Sequence, residues 1–492
     1  MTTTTPESAA GVAPVLHPDD DPDAHPELPP KKHYKLHANT PRVVILGCGF
    51  AGLNFIKNFK GDAEIVIIDR QNHHLFQPLL YQVAMSALAV PEIAEPIRSI
   101  VRRKKNVVTV MEEVESIDLE GKHIELRESS LDYTHLIIAM GGKVTYFGND
   151  HWEEFAPGLK TIDDALRIRR RVLTSLERAE TEADPDERRR LMTIVVIGGG
   201  PTGTELAGTM AELCRTVFTR DFRNIDTNTA RVVLVDAGPR VLSTYPEDLS
   251  ASALRQLEGL GVQVLLNTKV EDIDDAGVTF ASGERIESRN ILWGGGVNAH
   301  PITQTLGVEL ARGGRIVVNP DLSIPGHPEA FAVGDIAWSI QDNDQPVPGV
   351  APAAMQMGKH VGKLLKEEIA NGKPLPPEQR RVFKYWDKGE MATIGRNKAV
   401  AWPFKKVKFS GFFAWVAWAL VHVAFLIGFR NRVVVMIRWF TSYLFMRPGA
   451  RIIFRSMHRP LRRACPTAAE SKAERFPAPA AEASPPPEPA AA

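Results

Sequence analysis

Two runs of apolar, β-branched residues repeat one pattern in distant parts of the chain: RVVIL at 42–46 and TIVVI at 193–197. Unbroken apolar runs of this length predict strands buried on both faces, as in a parallel sheet. Each leads into a glycine-rich turn, GCGFAG after the first and GGGPTG after the second. A helical pattern follows each turn, LNFIKNF and TELAGTMAEL. The chain then returns as an apolar strand ending on an acid. AEIVIID ends on Asp69, seventeen residues after Gly52, and ARVVLVD ends on Asp236, thirty-three after Gly203. The longer second interval predicts a longer helix or an inserted turn around RDFRNIDTNT. YTHLIIAMGG (133–142), NILWGGGV (290–297) and AFAVGDIA (330–337) read as further buried strands, the last ending in Gly334 and Asp335.

This pattern predicts an α/β fold with two Rossmann-like dinucleotide-binding domains. In such a unit the glycines permit a tight turn, close approach of backbone to a pyrophosphate and close packing of helix on strand, while the terminal acid takes a ribose. The helix N-terminus offers free N–H groups and a positive dipole end to the phosphates. Gly47, Gly49 and Gly52 form one such set, and Gly198, Gly200 and Gly203 the other. One turn alone is a weak signal; two, each framed by strand, helix and acid, point to two dinucleotides. Asp335, just past a buried strand, is placed to accept hydrogen bonds from a polyol chain, although an ordinary turn-starting Asp fits the same position.

Composition changes this picture little. Lys plus Arg and Asp plus Glu number 59 each, so no global field argues for nucleic acid. The three cysteines, Cys48, Cys214 and Cys465, include no CxxC pair, and no His/Cys spacing resembles a metal site. No disulfide-stapled fold, redox dithiol or metal centre is therefore expected, and Cys48 reads as a small packing residue in its turn. The first 40 residues read as a disordered leader without the layout of a signal peptide, and 464–492 as a Pro/Ala tail.

The order of the pieces resembles the flavoproteins in which an FAD domain is interrupted by an NAD(P)H domain. IIDRQNHHLFQPLLYQVA, IAEPIRSI, GGGPTGTELAGTMAEL, AFAVGDIA, YWDKGEMATIGRNKAV and GFRNRVVVMIRWFTSYLFMRPGARII make it similar to the type II NADH dehydrogenases over about residues 40 to 455. These are single-subunit, non-pumping NADH:quinone oxidoreductases. The resemblance implies an FAD domain over 41–165 and 291–400 and an NADH domain over 190–290. It places Gly47, Gly49 and Gly52 on the FAD pyrophosphate, Asp69 on its adenosine ribose, and Gly334 and Asp335 at its ribityl chain. It places Gly198, Gly200 and Gly203 on the NADH pyrophosphate and Asp236 on the NADH ribose. No Arg directly follows Asp236, which favours NADH over NADPH, although Arg240 lies nearby. Glu205 would border the flavin, positioning NADH or relaying a proton; it is also an acid at a helix N-terminus, favourable in any protein. His73 and His74 fall in a flavin-side segment, where loop packing serves equally well.

The acceptor is narrowed by the cysteines, because disulfide reductases and sulfide:quinone oxidoreductases need pairs. The family's quinone slot is marked by Ala-Gln-x-x-x-Gln. Here Ala351 and Gln356 match, and Pro352 replaces the first glutamine, so Gln356 is expected to carry more of the quinone contact. A soluble electron carrier or oxygen as acceptor, or a nucleotide-sensing role without turnover, stays open.

Between Glu390 and Glu470 there is no Asp or Glu, while Lys and Arg accumulate. A basic region at 401–463 therefore predicts attraction to an anionic lipid surface. GFFAWVAWALVHVAFLIGF (411–429) carries no charge and by hydropathy alone reads equally as a spanning helix. The resemblance implies monotopic binding on the cytoplasmic face of the inner membrane, with a transmembrane helix at 411–429 as the alternative. Whether two copies pair as a homodimer is open.

Overall fold

The computed structural model describes residues 31–34, 40–445 and 451–453. In chain order, a short strand β1 (Lys32–Tyr34) precedes the first glycine-turn unit, β2 (Arg42–Leu46), α1 (Phe50–Asn58) and β3 (Glu64–Ile68). β4 (Val107–Val110) follows, then a meander of β5 (Val114–Asp118), β6 (His123–Leu126) and β7 (Ser129–Asp132), then β8 (His135–Ile138) and the long helix α2 (Ile162–Thr181). The second unit is β9 (Thr193–Ile197), α3 (Pro201–Thr216), β10 (Arg231–Val235), β11 (Val262–Leu265) and β12 (Asn290–Trp293). The chain closes through β13 (His327–Ala332), α4 (Ala351–Asn371), the hairpin β14 (Gly389–Gly395) and β15 (Lys398–Pro403), and two helices, α5 (Phe412–Phe425) and α6 (Phe429–Phe445).

The apolar runs become the centres of two parallel sheets. The first has the order Ser323–Ile324, β13, β8, β2, β3, β4, antiparallel only at that short edge. Its register sets Leu46 opposite both Ile68 and Ile138, and Ile138 opposite Ala332. The carboxyl ends of four strands are thus level, and Gly47, Asp69, Ala139 and Val333 leave the sheet along one edge. The second sheet has the order β11, β10, β9, β12, with Ile197 opposite Val235 and Trp293. Val43 to Leu46 and Ile194 to Val196 are 0–1 % exposed, as strands covered on both faces must be.

Three expectations are corrected. β12 pairs with β9, so the second domain keeps its strand to Trp293 and the chain does not return to the first domain at 291. The run is wholly buried, as a strand paired into this parallel sheet and covered on both faces should be. Within the expected leader, Lys32–Tyr34 adds a parallel strand to β7, where the backbone of Ser129–Leu131 offers an unpaired edge. The uncharged stretch 411–429 is broken: α5 stops at Phe425, Gly428 takes φ +84°, and α6 starts at Phe429. Fourteen residues span about 21 Å, short of a hydrocarbon core of about 30 Å. No helix among the described residues is long and apolar enough to cross a membrane. The interval before β10 does contain the expected insertion, as one-turn helices at Phe218–Arg220 and Thr227–Thr229. The expected tail at 464–492 and Cys465 lie outside the described residues.

Candidate functional site

The two glycine turns have the same construction. Gly47 and Gly198 have φ of +94° and +106°, which side chains rarely adopt. A Cβ on Gly52 would lie 2.0 Å from the Gly47 carbonyl oxygen, and one on Gly203 1.8 Å from that of Gly198, so the third glycine lets the helix close on the turn. The middle glycines differ. A Cβ on Gly49 or Gly200 would meet nothing within 4 Å, so each turn keeps an open floor at the N-terminus of its helix. A diphosphate needs that opening, and the donor set there, backbone N–H groups at a positive dipole end, fits one.

The acids ending the second strands are engaged alike. Asp69 accepts from Cys48 N at 2.7 Å and from Gln71 N at 2.8 Å. Asp236 accepts from Gly199 N at 2.5 Å and from Gly238 N at 2.6 Å. Each therefore braces the turn that leads into its helix. Burial raises the carboxyl of Asp69 despite those two hydrogen bonds. Arg240, close to Asp236 in sequence, spends its guanidinium on the carbonyls of Tyr245 and Ser243 at 2.9 and 2.8 Å.

Along the edge of the first sheet runs a cavity of about 360 Å³, lined among others by Gly47, Asp69, Gln71, Lys143, Lys160 and Thr161. Asp335, in the turn after β13, forms an ion pair at 3.2 Å with Lys160, one of the lining residues. Sequence reasoning missed Lys160. It is held by Asp164 Oδ2, which accepts from Lys160 N and Thr161 N and so caps α2. α4 packs backbone to backbone on α1: a Cβ on Gly358 would lie 2.0 Å from the Ala51 carbonyl oxygen. This contact sets the start of α4, with Ala351 and Pro352, beside Asp335; a Cβ on Gly349 would lie 3.6 Å from its carboxylate.

Gln356 is committed elsewhere. Its Nε2 donates to Trp386 O at 2.9 Å and its Oε1 accepts from Trp386 N at 3.0 Å, so the amide is paired like one rung of a β-ladder. Trp386 is exposed, stacks on Phe404 at 5.8 Å and lies under Lys388, whose ammonium also covers Phe425 of α5. The amide expected to contact quinone thus holds the exposed Trp386 in place.

Glu205 sits where α3 meets the hairpin. Three positions on one face of α3 touch β14 and its turn: Glu205 takes a hydrogen bond from the Thr393 backbone, a Cβ on Gly208 would fall 1.7 Å from Ile394 O, and Glu212 accepts from Arg396 N at 2.8 Å. The glycine lets the helix settle far enough for both acids to reach backbone. Burial pushes the Glu205 carboxyl up to about 8. Buried Tyr81 stands near it, its phenol raised first by burial and then by Glu205. The OH of Tyr81 accepts from Gln82 Nε2 at 2.9 Å, and Gln82 Oε1 accepts from Trp439 Nε1 of α6 at 2.9 Å.

His74 is buried, its Nδ1 2.8 Å from Cys48 O, and burial pushes it down to about 4; His73 has its Nδ1 3.1 Å from Asn72 Oδ1. Cys48 and Cys214 are buried with thiols pushed up to about 12, as packing residues are.

The sequence matches two family models, "Pyridine nucleotide-disulphide oxidoreductase" over residues 41–358 and "NDH2 C-terminal domain" over 387–448. Two Mycobacterium tuberculosis proteins are similar, both named as type II NADH:quinone oxidoreductases. One is 43% identical over 88% of this chain and 92% of its own, the other 41% over 85% and 90%. A solved structure of NDH2 from Plasmodium falciparum in complex with NADH superposes with a TM-score of 0.76 at 20% identity, covering 85% of this chain and all of that one. A sulfide:quinone oxidoreductase from Aquifex aeolicus shares the fold, with a TM-score of 0.64, 18% identity and coverage of 83% and 96%. With twin dinucleotide turns, a C-terminal hairpin and helix pair, and this degree of likeness along nearly the whole chain, the protein belongs to the type II NADH:quinone oxidoreductases, FAD enzymes that pass electrons from NADH to a quinone without pumping protons.

Proposed function

We propose the following division of labour among the residues. The turn at Gly47, Gly49 and Gly52 holds the FAD pyrophosphate, Asp69 stands at the adenosine ribose, and the Lys160–Asp335 pair borders the ribityl chain. The turn at Gly198, Gly200 and Gly203 holds NADH, with Asp236 at its ribose. When bound, FAD supplies the acceptance of two electrons from NADH and their release to a quinone. The chain's own part is placement and proton handling. The N-terminus of α4 directs a positive dipole end toward the first site, where negative charge is favoured. Glu205 is a neutral acid at neutral pH and can hold a proton on the nicotinamide side. Gln356 acts on quinone through Trp386, as a positioning residue, with Ala351 and Pro352 beside it.

The lipid surface is the second part of the proposal. α5 buries Ala414 against the hairpin and Trp418 against Trp439 of α6, and leaves Phe413 and Leu420 exposed, and Phe429 and Phe440 of α6 are exposed as well. Lys405, Lys406 and Lys408 precede this face and Arg430 and Arg432 lie within it. Apolar residues ringed by cations suit one leaflet of an anionic membrane.

The observation that carries the reading is the pair of matched turns, each with an open middle glycine at the edge of its own parallel sheet. The test is steady-state NADH oxidation with a short-chain quinone by the detergent-solubilised protein, set beside NADPH and Gln356→Ala. Fast turnover with NADH, poor turnover with NADPH and a raised quinone KM in the variant are expected. Rapid flavin bleaching without quinone turnover would overturn the acceptor half.

A further inference from the structure

The meander β5–β7 has one buried and one polar face, because side chains alternate along each strand. Ile124, Leu126, Leu131 and Tyr133 point into the core. On the other face the register sets His123 opposite Asp132, Glu125 opposite Ser130, and His33 of β1 opposite Ser130. Two imidazoles and a carboxylate, from three neighbouring strands, therefore converge. His123 Nδ1 is 2.7 Å from Asp132 Oδ1, His33 Nε2 is 3.4 Å from Asp132 Oδ2, and the two rings stack with centroids 5.6 Å apart. One ligand atom from each residue fits within 4.8 Å of the others.

The far side of each ring is also engaged. His123 Nε2 lies 2.9 Å from Glu125 Oε1, and His33 Nδ1 lies 2.9 Å from Ser130 Oγ. Glu125 is in turn held by Lys31 at 3.3 Å. A ligating histidine has this arrangement: one nitrogen aimed at the common point, the other oriented by a carboxylate or hydroxyl.

We propose that His33, His123 and Asp132 bind one zinc ion, which fastens the N-terminal strand β1 to the meander of the first domain. The donor set of two imidazoles and one carboxylate suits zinc, and a water completes four-coordination. Zinc and protons compete for the same imidazole nitrogens, so uptake weakens as pH falls. The site is separate from the dinucleotide turns, and its failure would leave the assignment of those turns untouched.

The test uses the full chain in detergent, stripped with a chelator and dialysed against zinc chloride. One zinc per chain is expected at micromolar zinc. The triple variant His33→Gln, His123→Gln, Asp132→Asn should lose it while keeping NADH:quinone turnover, and Glu125→Gln should weaken binding by about tenfold or more. Limited proteolysis of the wild type should show that zinc slows cleavage around residues 31–34, with no such slowing in the triple variant. Equal zinc retention by wild type and triple variant, or none by either, would overturn the proposal and leave the group as an ion-paired histidine cluster.

Discussion

Replacing Glu205 by Gln keeps its shape and removes its titration. Burial moves this carboxyl from an ordinary 4.5 to about 8. At pH 7 about nine-tenths of the molecules then carry the neutral acid, and at pH 9 about one-tenth. If the neutral acid is the active form, kcat/KM for NADH falls about tenfold between these pH values, and the Gln variant is flat across the same interval. Stability gives an independent readout. A raised folded pKa means that the native state holds the proton more tightly than the unfolded chain. The stabilisation is complete below pH 4.5, declines as pH rises, and is gone once pH has passed through about 8. At about 1.4 kcal/mol per unit the cumulative loss is at most about 5 kcal/mol. Thermal unfolding of wild type and Glu205→Gln, followed in detergent between pH 6 and 9, should show the gap moving in favour of the variant as pH rises. A limb near pH 8 that survives in the Gln variant, with a stability gap that does not move with pH, would refute the reasoning.

Three further outcomes are expected. Gly208→Ala puts a methyl against Ile394 O, so α3 must lift from the hairpin; a cost of about 1–3 kcal/mol should appear as a lower unfolding midpoint by calorimetry. The Arg380 side chain lies 1 % exposed between Glu368 and Asp321 at 2.7 and 3.0 Å, and Arg380→Leu strands two buried carboxylates, at about 3–5 kcal/mol in denaturant unfolding. Flotation with vesicles should show binding to anionic but not zwitterionic lipid, reduced by Phe413→Ser with Leu420→Ser and by 0.5 M salt, on the order of what screening removes; undiminished binding by that variant would exclude α5 as the contact.

The glycine turns were legible because everything that defines them is local: a strand, three glycines, a helix and an acid within a few dozen residues. Glu205 stands out in its helix for the same reason, but its shifted acidity was not legible, since that comes from burial against the hairpin, which outweighs the lowering hydrogen bond from Thr393. Lys160 and Asp335 are separated by 175 positions, and no local pattern announces the pair. The pairing of the Gln356 amide was not legible, because the Trp386 backbone that takes it lies outside the motif. β12 went to the wrong domain because a buried strand carries no mark of which sheet it joins. The uncharged stretch at 411–429 looked long enough to span because hydropathy does not register the break before Gly428. The histidine cluster was invisible for a related reason: its members lie at 33, 123 and 132, and only strand register brings them together.

The contact between Gly208 and Ile394 ties the C-terminal region to the helix that follows the second glycine turn. Removing the chain from residue 387 onward, a natural way to seek a water-soluble version, would take away the hairpin that packs on α3 over Glu205, whose burial raises this carboxyl against the opposing hydrogen bond from Thr393. Such a truncation would return that carboxyl toward ordinary acidity and loosen the helix that carries it. Solubility and chemistry are therefore not separable by cutting here, and a lipid-free form is better sought by changing the exposed faces of α5 and α6 while leaving the hairpin in place.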